Sequence, residues 1–219
     1  MKNLIIVIPT YNEEKNILRL TNKIHQLIPK CRILIIDDSK NSNIDKIYKK
    51  TVLFGLKQSI NNNRNKIFVE MDADFSHKPN ELKRNINFFI KNNCDLLIAS
   101  RYMSKSKIQN WSIQRRIFSR LSNLLAKFFL QIDVTDYTNG FRIYSRRAAK
   151  KVVKDCGRIG DGFIVLSEIL LKIHQSKMKI METHSIFINR TRGESSVNFK
   201  LIVQSFFGLM KLFLIKLKK

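Results

Sequence analysis

Little in this sequence is acidic, crosslinked or conformationally special. Its 219 residues include only three cysteines, three prolines and seven glycines, and 17 Asp and Glu stand against 41 Lys and Arg. Cys31, Cys94 and Cys156 are odd in number, far apart and form no CxxC pair. That excludes a disulfide scaffold and fits a reducing compartment. So few prolines and glycines exclude a collagen-like or Pro/Gly-rich disordered chain. No uncharged apolar stretch reaches the roughly 18 residues of a membrane-crossing helix, so none is expected. The first apolar run, Leu4–Ile8, stops at Pro9 and is too short for the core of a signal peptide. The sequons at Asn110 and Asn189 therefore carry no expectation of glycosylation.

What is present is a formal net charge of +24 and a pI near 10.2. Lys-, Asn- and Ile-rich usage also follows from AT-biased coding, but an excess of this size calls for an anionic partner: nucleic acid, a phosphorylated ligand or acidic lipid. The chain has no RNP motif, no zinc-finger spacing and no clear aromatic interleaving on its basic stretches, so nucleic acid is not the expected partner. Apolar residues make up 44% of the chain. That fills one sizeable core, and one domain with a C-terminal extension is expected.

Leu4–Ile8, Ile33–Ile36, Ile67–Met71 and Asp95–Ala99 read as short buried strands. Between them fall helix-period segments. One follows Asn12 as N-cap, with Ile17, Leu20, Ile24 and Leu27 on one face, and another runs from Pro79 to about Asn92. This alternation predicts an α/β doubly wound, mostly parallel sheet with flanking helices. The second half predicts a helix over 111–130 with Ile117, Leu121, Leu124 and Phe128 on one side. Shorter helices are predicted over 148–153 and 162–175, and a strand over 180–189. Residues 1–197 form the expected main domain, and 198–219 an amphipathic helix. On that helix Phe206, Leu209, Met210, Phe213, Leu214 and Leu217 share a wide apolar arc opposite Gln204, Lys211 and Lys218. So wide an arc suits a bilayer interface or a partner, or folding back onto the core.

Acidic residues gather at three predicted strand ends: Glu13 after the first, Asp37 and Asp38 after the second, Asp72-Ala73-Asp74 after the third. In an open parallel sheet, ligands bind beyond the carboxyl ends of the strands. Converging carboxylates repel unless a cation sits among them. Hard oxygen donors suit Mg²⁺ or Mn²⁺ bridging phosphates.

Several blocks make a family resemblance. Ile8-Pro9-Thr10-Tyr11-Asn12-Glu13-Glu14, Ile35-Ile36-Asp37-Asp38-Ser39, Met71-Asp72-Ala73-Asp74-Phe75-Ser76-His77-Lys78-Pro79 and Ala99-Ser100-Arg101-Tyr102 resemble family 2 glycosyltransferases of GT-A fold. Three further blocks resemble the dolichyl/polyprenyl-phosphate mannosyltransferases of that family: Trp111 to Arg120, Asp136 to Tyr144, and Asn189 through Arg190 and Gly193 to Ser195. The resemblance implies an inverting transfer of a hexosyl group, mannose from GDP-mannose first, onto dolichyl or polyprenyl phosphate. Pro9, Tyr11, Glu13, Ile36, Asp38, Asp72, Ala73, Asp74 and Arg190 would hold the nucleotide sugar. Asp74, with Asp72 and Ser76, would hold Mg²⁺ or Mn²⁺. Arg101, Arg115, Arg116 and Arg142 would bind the acceptor phosphate, and Asp74, Arg101, Arg115 and Asp136 would form the catalytic set. The implied setting is the cytoplasmic face of an endoplasmic reticulum or prokaryotic plasma membrane, on its acidic surface, with room for a small membrane-spanning subunit. The Asp38–Asp72 segment is shorter than the family's usual one, and Ser196 stands where a Lys usually follows Gly-Glu-Ser. These departures keep a UDP-sugar donor, and an inactive scaffold, as alternatives.

Overall fold

The computed structural model describes residues 3–39, 47–160, 164–189 and 199–218. Branched aliphatic runs build a six-stranded sheet. In chain order its strands are β1 (Leu4–Thr10), β2 (Arg32–Asp37), β3 (Ile67–Glu70), β4 (Leu96–Ser100), β6 (Arg142–Ser145) and β7 (Ile180–His184). In space the order is β2-β1-β3-β6-β4-β7. β6 runs antiparallel between β3 and β4, and every other pairing is parallel. A two-stranded sheet joins β5 (Lys107–Gln109) to β8 (Ile186–Ile188). The expected parallel α/β sheet is therefore present, with β6 added. The strand expected over 180–189 breaks at Ser185, and its second half joins the small sheet.

Period-two alternation in β1 supplies both cores. Leu4, Ile6 and Ile8 pack with Leu20 and Ile24 of α1 (Glu14–Leu27) and with Ile86 and Phe89 of α3 (Leu82–Lys91). Ile5 and Val7 face the other way, toward Val52 and Leu56 of α2 (Ile47–Asn61). That second core continues through α5 (Arg146–Asp155), α6 (Ile164–Gln175) and α7 (Phe199–Leu217). Each fully buried aliphatic side chain contributes about 1.5–3 kcal/mol. α2 lies close against β1: a Cβ on Gly55 would stand 2.4 Å from Val7 Cγ1, so only glycine fits there.

Two expectations are corrected, and one helix face left open is now placed. β2 is the sheet's edge rather than a buried strand, and Ile35 is exposed. Asn12 is not the cap of α1. It takes φ 56°, turning the chain sharply after β1, and Glu13 occupies the cap position without a side-chain cap bond. The apolar stripe of α4 (Ile113–Leu130) faces outward. Ile113, Ile117, Leu121, Leu124 and Phe128 are 50–76% exposed, while Asn123, Ala126 and Leu130 turn inward. α7 lies against α4 and α6 and buries Leu209 and Leu212, leaving Phe206, Phe207, Leu214 and Leu217 exposed. No described helix is long and apolar enough to cross a membrane.

The β3–β6 register sets Glu70 opposite Arg142, both fully buried. Burial pushes the Glu70 pKa up to about 8, against the pull of Arg142 and of the Tyr144 hydroxyl that donates to it at 2.8 Å. The folded chain therefore keeps a proton here that the unfolded chain releases near its ordinary value of 4.5. Stability from this group is complete below that value and is lost as pH rises toward 8. In urea unfolding across this window, the wild type should lose stability relative to Glu70→Gln, whose profile should be flatter. Parallel profiles would contradict the assignment.

Candidate active site

All strands of the six-stranded sheet but β6 run the same way, so the carboxyl ends of β1, β2, β3 and β4 share one edge of the sheet. Because β6 is reversed, the loop before it, 136–141, reaches that same edge. Sequence-distant groups thus converge by topology alone.

On one side lies the β1–β2 corner. Asp38 N donates to Thr10 O (3.1 Å), Thr10 Oγ1 to Asp37 Oδ1 (2.9 Å), and Asn12 N to Ser39 Oγ (3.0 Å). Pro9 pairs with Ile36 across the strands, and Tyr11 and Glu13 follow on the turn, both half-buried. A recess of about 460 Å³ opens here, lined by Ile36, Asp37, Asp38, Thr51 and Phe54. Thr51 and Phe54 come from α2, a contribution the sequence reading did not name.

The middle of the edge is the loop after β3. Asp72 and Asp74 are half-buried, and Ala73 turns its methyl into the core. Ser76 N donates to Asp74 Oδ1 at 2.9 Å, which fixes that carboxylate. Phe75 holds φ 62°, a left-handed conformation a bulky residue rarely takes, so this loop stores strain. Ser76 Oγ is buried with no hydrogen-bond partner. An orphaned hydroxyl in the same loop as two carboxylates offers hard oxygen donors of the kind a divalent cation accepts. No group of three His, Cys, Asp or Glu that could hold a metal exists among the described residues. A cation here would thus take the rest of its shell from a phosphate ligand and water, as Mg²⁺ commonly does.

The far side is cationic. Arg101 is buried, and Asp136 accepts from its Nε and Nη2, each at 2.8 Å. Arg101 also lies over the rings of Tyr102, Trp111 and Phe187. Burial works against both charges of the pair. Each partner more than restores the other, so Asp136 sits below the ordinary carboxylate range and Arg101 above its own usual value. Asp72 adds to the hold on Arg101, which ties the acidic loop to the cationic side. Next to Arg101 opens a groove of about 430 Å³, lined also by Tyr102, Lys107, Gln109, Arg116 and Arg120. Arg116 and Arg120 come from α4, whose N-cap is Ser112. Arg115 is half-buried, with its guanidinium 4.3 Å from the Trp111 ring and its Nη1 donating to Asn189 Oδ1 at 2.6 Å.

Two expected roles change. Arg142 does not face the groove. It is fully buried and donates to the carbonyls of Asn139, Leu166 and Tyr137, each at 2.9 Å, so its fork pins the start of β6 rather than a phosphate. Asp136 is fully buried and accepts from Arg101 and from the amides of Thr138 and Asn139. It positions Arg101 rather than meeting a reactant. Arg190 and the 193–195 block lie outside the described residues. The sequence reading gave no role to Lys107 or Arg120, nor to Glu182. Glu182 accepts from Thr135 N, Thr135 Oγ1 and Asp136 N and so fixes this loop from β7. Only Arg120 left a signal, as the second basic position one turn beyond Arg116.

Asp136→Asn should destabilise the fold by about 3–5 kcal/mol, because Arg101 would remain buried without its counter-charge. Urea unfolding checks this, and a change below about 1 kcal/mol, the scale of an exposed pair, would contradict the pairing described.

Comparison with known proteins gives the family and the fold. Residues 5–153 match the Glycosyl transferase family 2 domain. A polyprenol monophosphomannose synthase from Mycolicibacterium smegmatis is 25% identical over 93% of this chain and 84% of its own length. A dolichol-phosphate mannosyltransferase from Pyrococcus furiosus is 30% identical over 91% of this chain, which spans 60% of that relative. Among solved structures, glucosyl-3-phosphoglycerate synthase from Mycobacterium tuberculosis in complex with Mn²⁺, UDP-glucose and phosphoglyceric acid superposes with a TM-score of 0.65 at 15% identity, covering 98% of this chain and 79% of that one. That likeness establishes the GT-A fold. With a domain match that takes in five of the six sheet strands, the acidic loop and the cationic edge, the chain belongs to glycosyltransferase family 2.

Proposed function

We propose that this chain transfers a hexosyl group, mannose from GDP-mannose, onto a polyprenyl or dolichyl phosphate at a membrane surface. One observation carries this reading: α4 presents Arg116 and Arg120 to the groove and an exposed apolar stripe to solvent. A polyprenyl phosphate has the same two parts, an anionic head and an apolar tail. The head fits the groove of Arg101, Lys107, Arg116 and Arg120, and the tail stays in the bilayer against Ile117, Leu121 and Leu124. The exposed residues of α7 extend that face, and lysines such as Lys211 and Lys218 suit acidic headgroups. The relatives' names support the acceptor class, and the recess beside Asp38 supports a nucleoside at the other end of the site.

The chemistry asks little of proton transfer. A phosphate monoester, with its second pKa near about 6, is already a nucleophile at neutral pH. It needs positioning against the anomeric carbon and relief of repulsion between two anionic reactants. Arginine forks supply both on the acceptor side. On the donor side Asp74, Asp72 and Ser76 would hold Mg²⁺ or Mn²⁺, which neutralises the diphosphate and steadies it as a leaving group. Asp38, Thr51 and Phe54 orient the nucleoside. One displacement inverts the anomeric centre and gives a β-linked product from an α-linked donor.

Incubation with radiolabelled nucleotide sugars, polyprenyl phosphate and Mn²⁺, followed by organic extraction, should show label in the lipid phase with GDP-mannose. Asp74→Ala should lower that transfer by at least about 100-fold, since it removes preorganised charge stabilisation, with the fold intact. Label only from UDP-sugars would overturn the donor assignment, and no labelled lipid from any donor would overturn the reading. Co-sedimentation with vesicles rich in acidic lipid should retain the wild type and lose Leu121→Glu/Leu124→Glu, which places two carboxylates on the exposed stripe. Equal retention of both would contradict the membrane face.

A further inference from the structure

His77 lies where the donor and acceptor sides meet. It leaves β3 on the same loop as Asp72 and Asp74 and is fully buried. Its ring stacks on Phe141, with centroids 5.1 Å apart, and meets Phe187 edge-on at 5.4 Å. Both ring nitrogens are engaged. Nδ1 accepts from the main-chain N–H of Asp72 at 3.1 Å, and Nε2 lies 2.9 Å from Asn139 Oδ1. An amide N–H can only donate, so Nδ1 carries the lone pair and the ring hydrogen sits on Nε2. That hydrogen goes to Asn139 Oδ1. The Asn139 amide group then points the other way, where it donates to the carbonyl of Ala99 at the end of β4. The arrangement is self-consistent: turning the Asn139 amide over would set two donors and two acceptors face to face, and turning the His77 ring over would put a carbon where each nitrogen bonds.

The bridge continues. The main-chain N–H of Asn139 donates to Asp136 Oδ1 at 3.1 Å, and Asp136 holds Arg101. From the Asp72 backbone to the Arg101 guanidinium, the path passes through three buried side chains: His77, Asn139 and Asp136. It crosses from the loop of carboxylates to the loop that fixes the cation.

We propose that His77 is a positioning residue which holds these two loops in one register, so that a donor bound at Asp72 and Asp74 and an acceptor phosphate bound beside Arg101 meet at reacting distance. This role rests on the reading of the two sides given above. Ring packing alone does not provide it. A phenyl ring at position 77 keeps the volume and the stacking but supports neither hydrogen bond, so the loops lose their link while the core stays filled. Transfer between two held reactants is sensitive to such slippage, with about 100-fold lost for a misplacement near 1 Å.

The test uses the full chain, with Mn²⁺, a nucleotide sugar and polyprenyl phosphate. His77→Phe should lower kcat by about 30- to 100-fold while the KM for each substrate changes by less than about threefold. Asn139→Ala cuts the same bridge from its other end and should give a similar loss. Combining the two should cost little more than either alone, because both remove one link. ¹⁵N NMR of the imidazole should show hydrogen on Nε2 in the wild type. Transfer unchanged in His77→Phe, losses that multiply in the double variant, or hydrogen on Nδ1 would each overturn the positioning role and leave the assigned activity standing. A wild type that transfers no sugar would overturn the activity, and this role with it.

Discussion

Arg101 is a cation with almost no access to water, and much of the site follows from keeping Asp136 beside it. A buried guanidinium without a counter-charge is costly, so the loop before β6 must deliver a carboxylate to the end of β4. It does so because β6 runs against its neighbours. Its first residue then lies at the edge where β1, β2, β3 and β4 end. Glu182 holds the near side of that loop through the amides of Thr135 and Asp136, and Arg142 holds the far side through three carbonyls. Three charged residues are therefore committed to placing one more at the groove.

The result is an edge divided by sign. Carboxylates occupy the β2 and β3 ends, and cations occupy the β4 end and α4. The proposed donor, whose diphosphate would come with a metal, and the proposed acceptor, a bare phosphate, suit that division: the metal would meet the carboxylates and the acceptor phosphate the cations. The excess of basic residues is only partly devoted to this. Arg146 is tied to carbonyls of the last turn of α2 and the loop after it, Arg147 to Asp95, and Lys151 to Asp155. Three of the basic residues of α5 are thus held in structural pairs.

Much of this was legible in the sequence, for definite reasons. The aliphatic runs Leu4–Ile8 and Ile67–Met71 can only be inner strands, and acidic residues just past such strands fall at a ligand-binding edge. Those two facts gave the α/β sheet and the acidic loop. What escaped depended on partners distant in the chain. Arg142 reads as a free cation until β6 places it in the core. Lone Glu182 in a strand gives no hint that it accepts from Thr135. The helix over 111–130 has the right period, but a period does not say which face meets the core, and here Asn123, Ala126 and Leu130 turn inward, with Asn123 accepting from Tyr137 N, while Ile117, Leu121, Leu124 and Phe128 stay exposed. That exposed apolar stripe is what the proposed membrane face rests on.

The account depends on carboxylates and guanidinium groups engaging two different phosphates at one edge. A crystal structure with Mn²⁺, a nucleoside diphosphate and a short-chain polyprenyl phosphate tests this most directly. The account predicts an anomalous manganese peak between Asp74 and the diphosphate, the nucleoside in the recess of Asp38, Thr51 and Phe54, and the lipid phosphate in the groove of Arg101, Arg116 and Arg120. Manganese away from Asp74, or both phosphates on the same side of it, would contradict it.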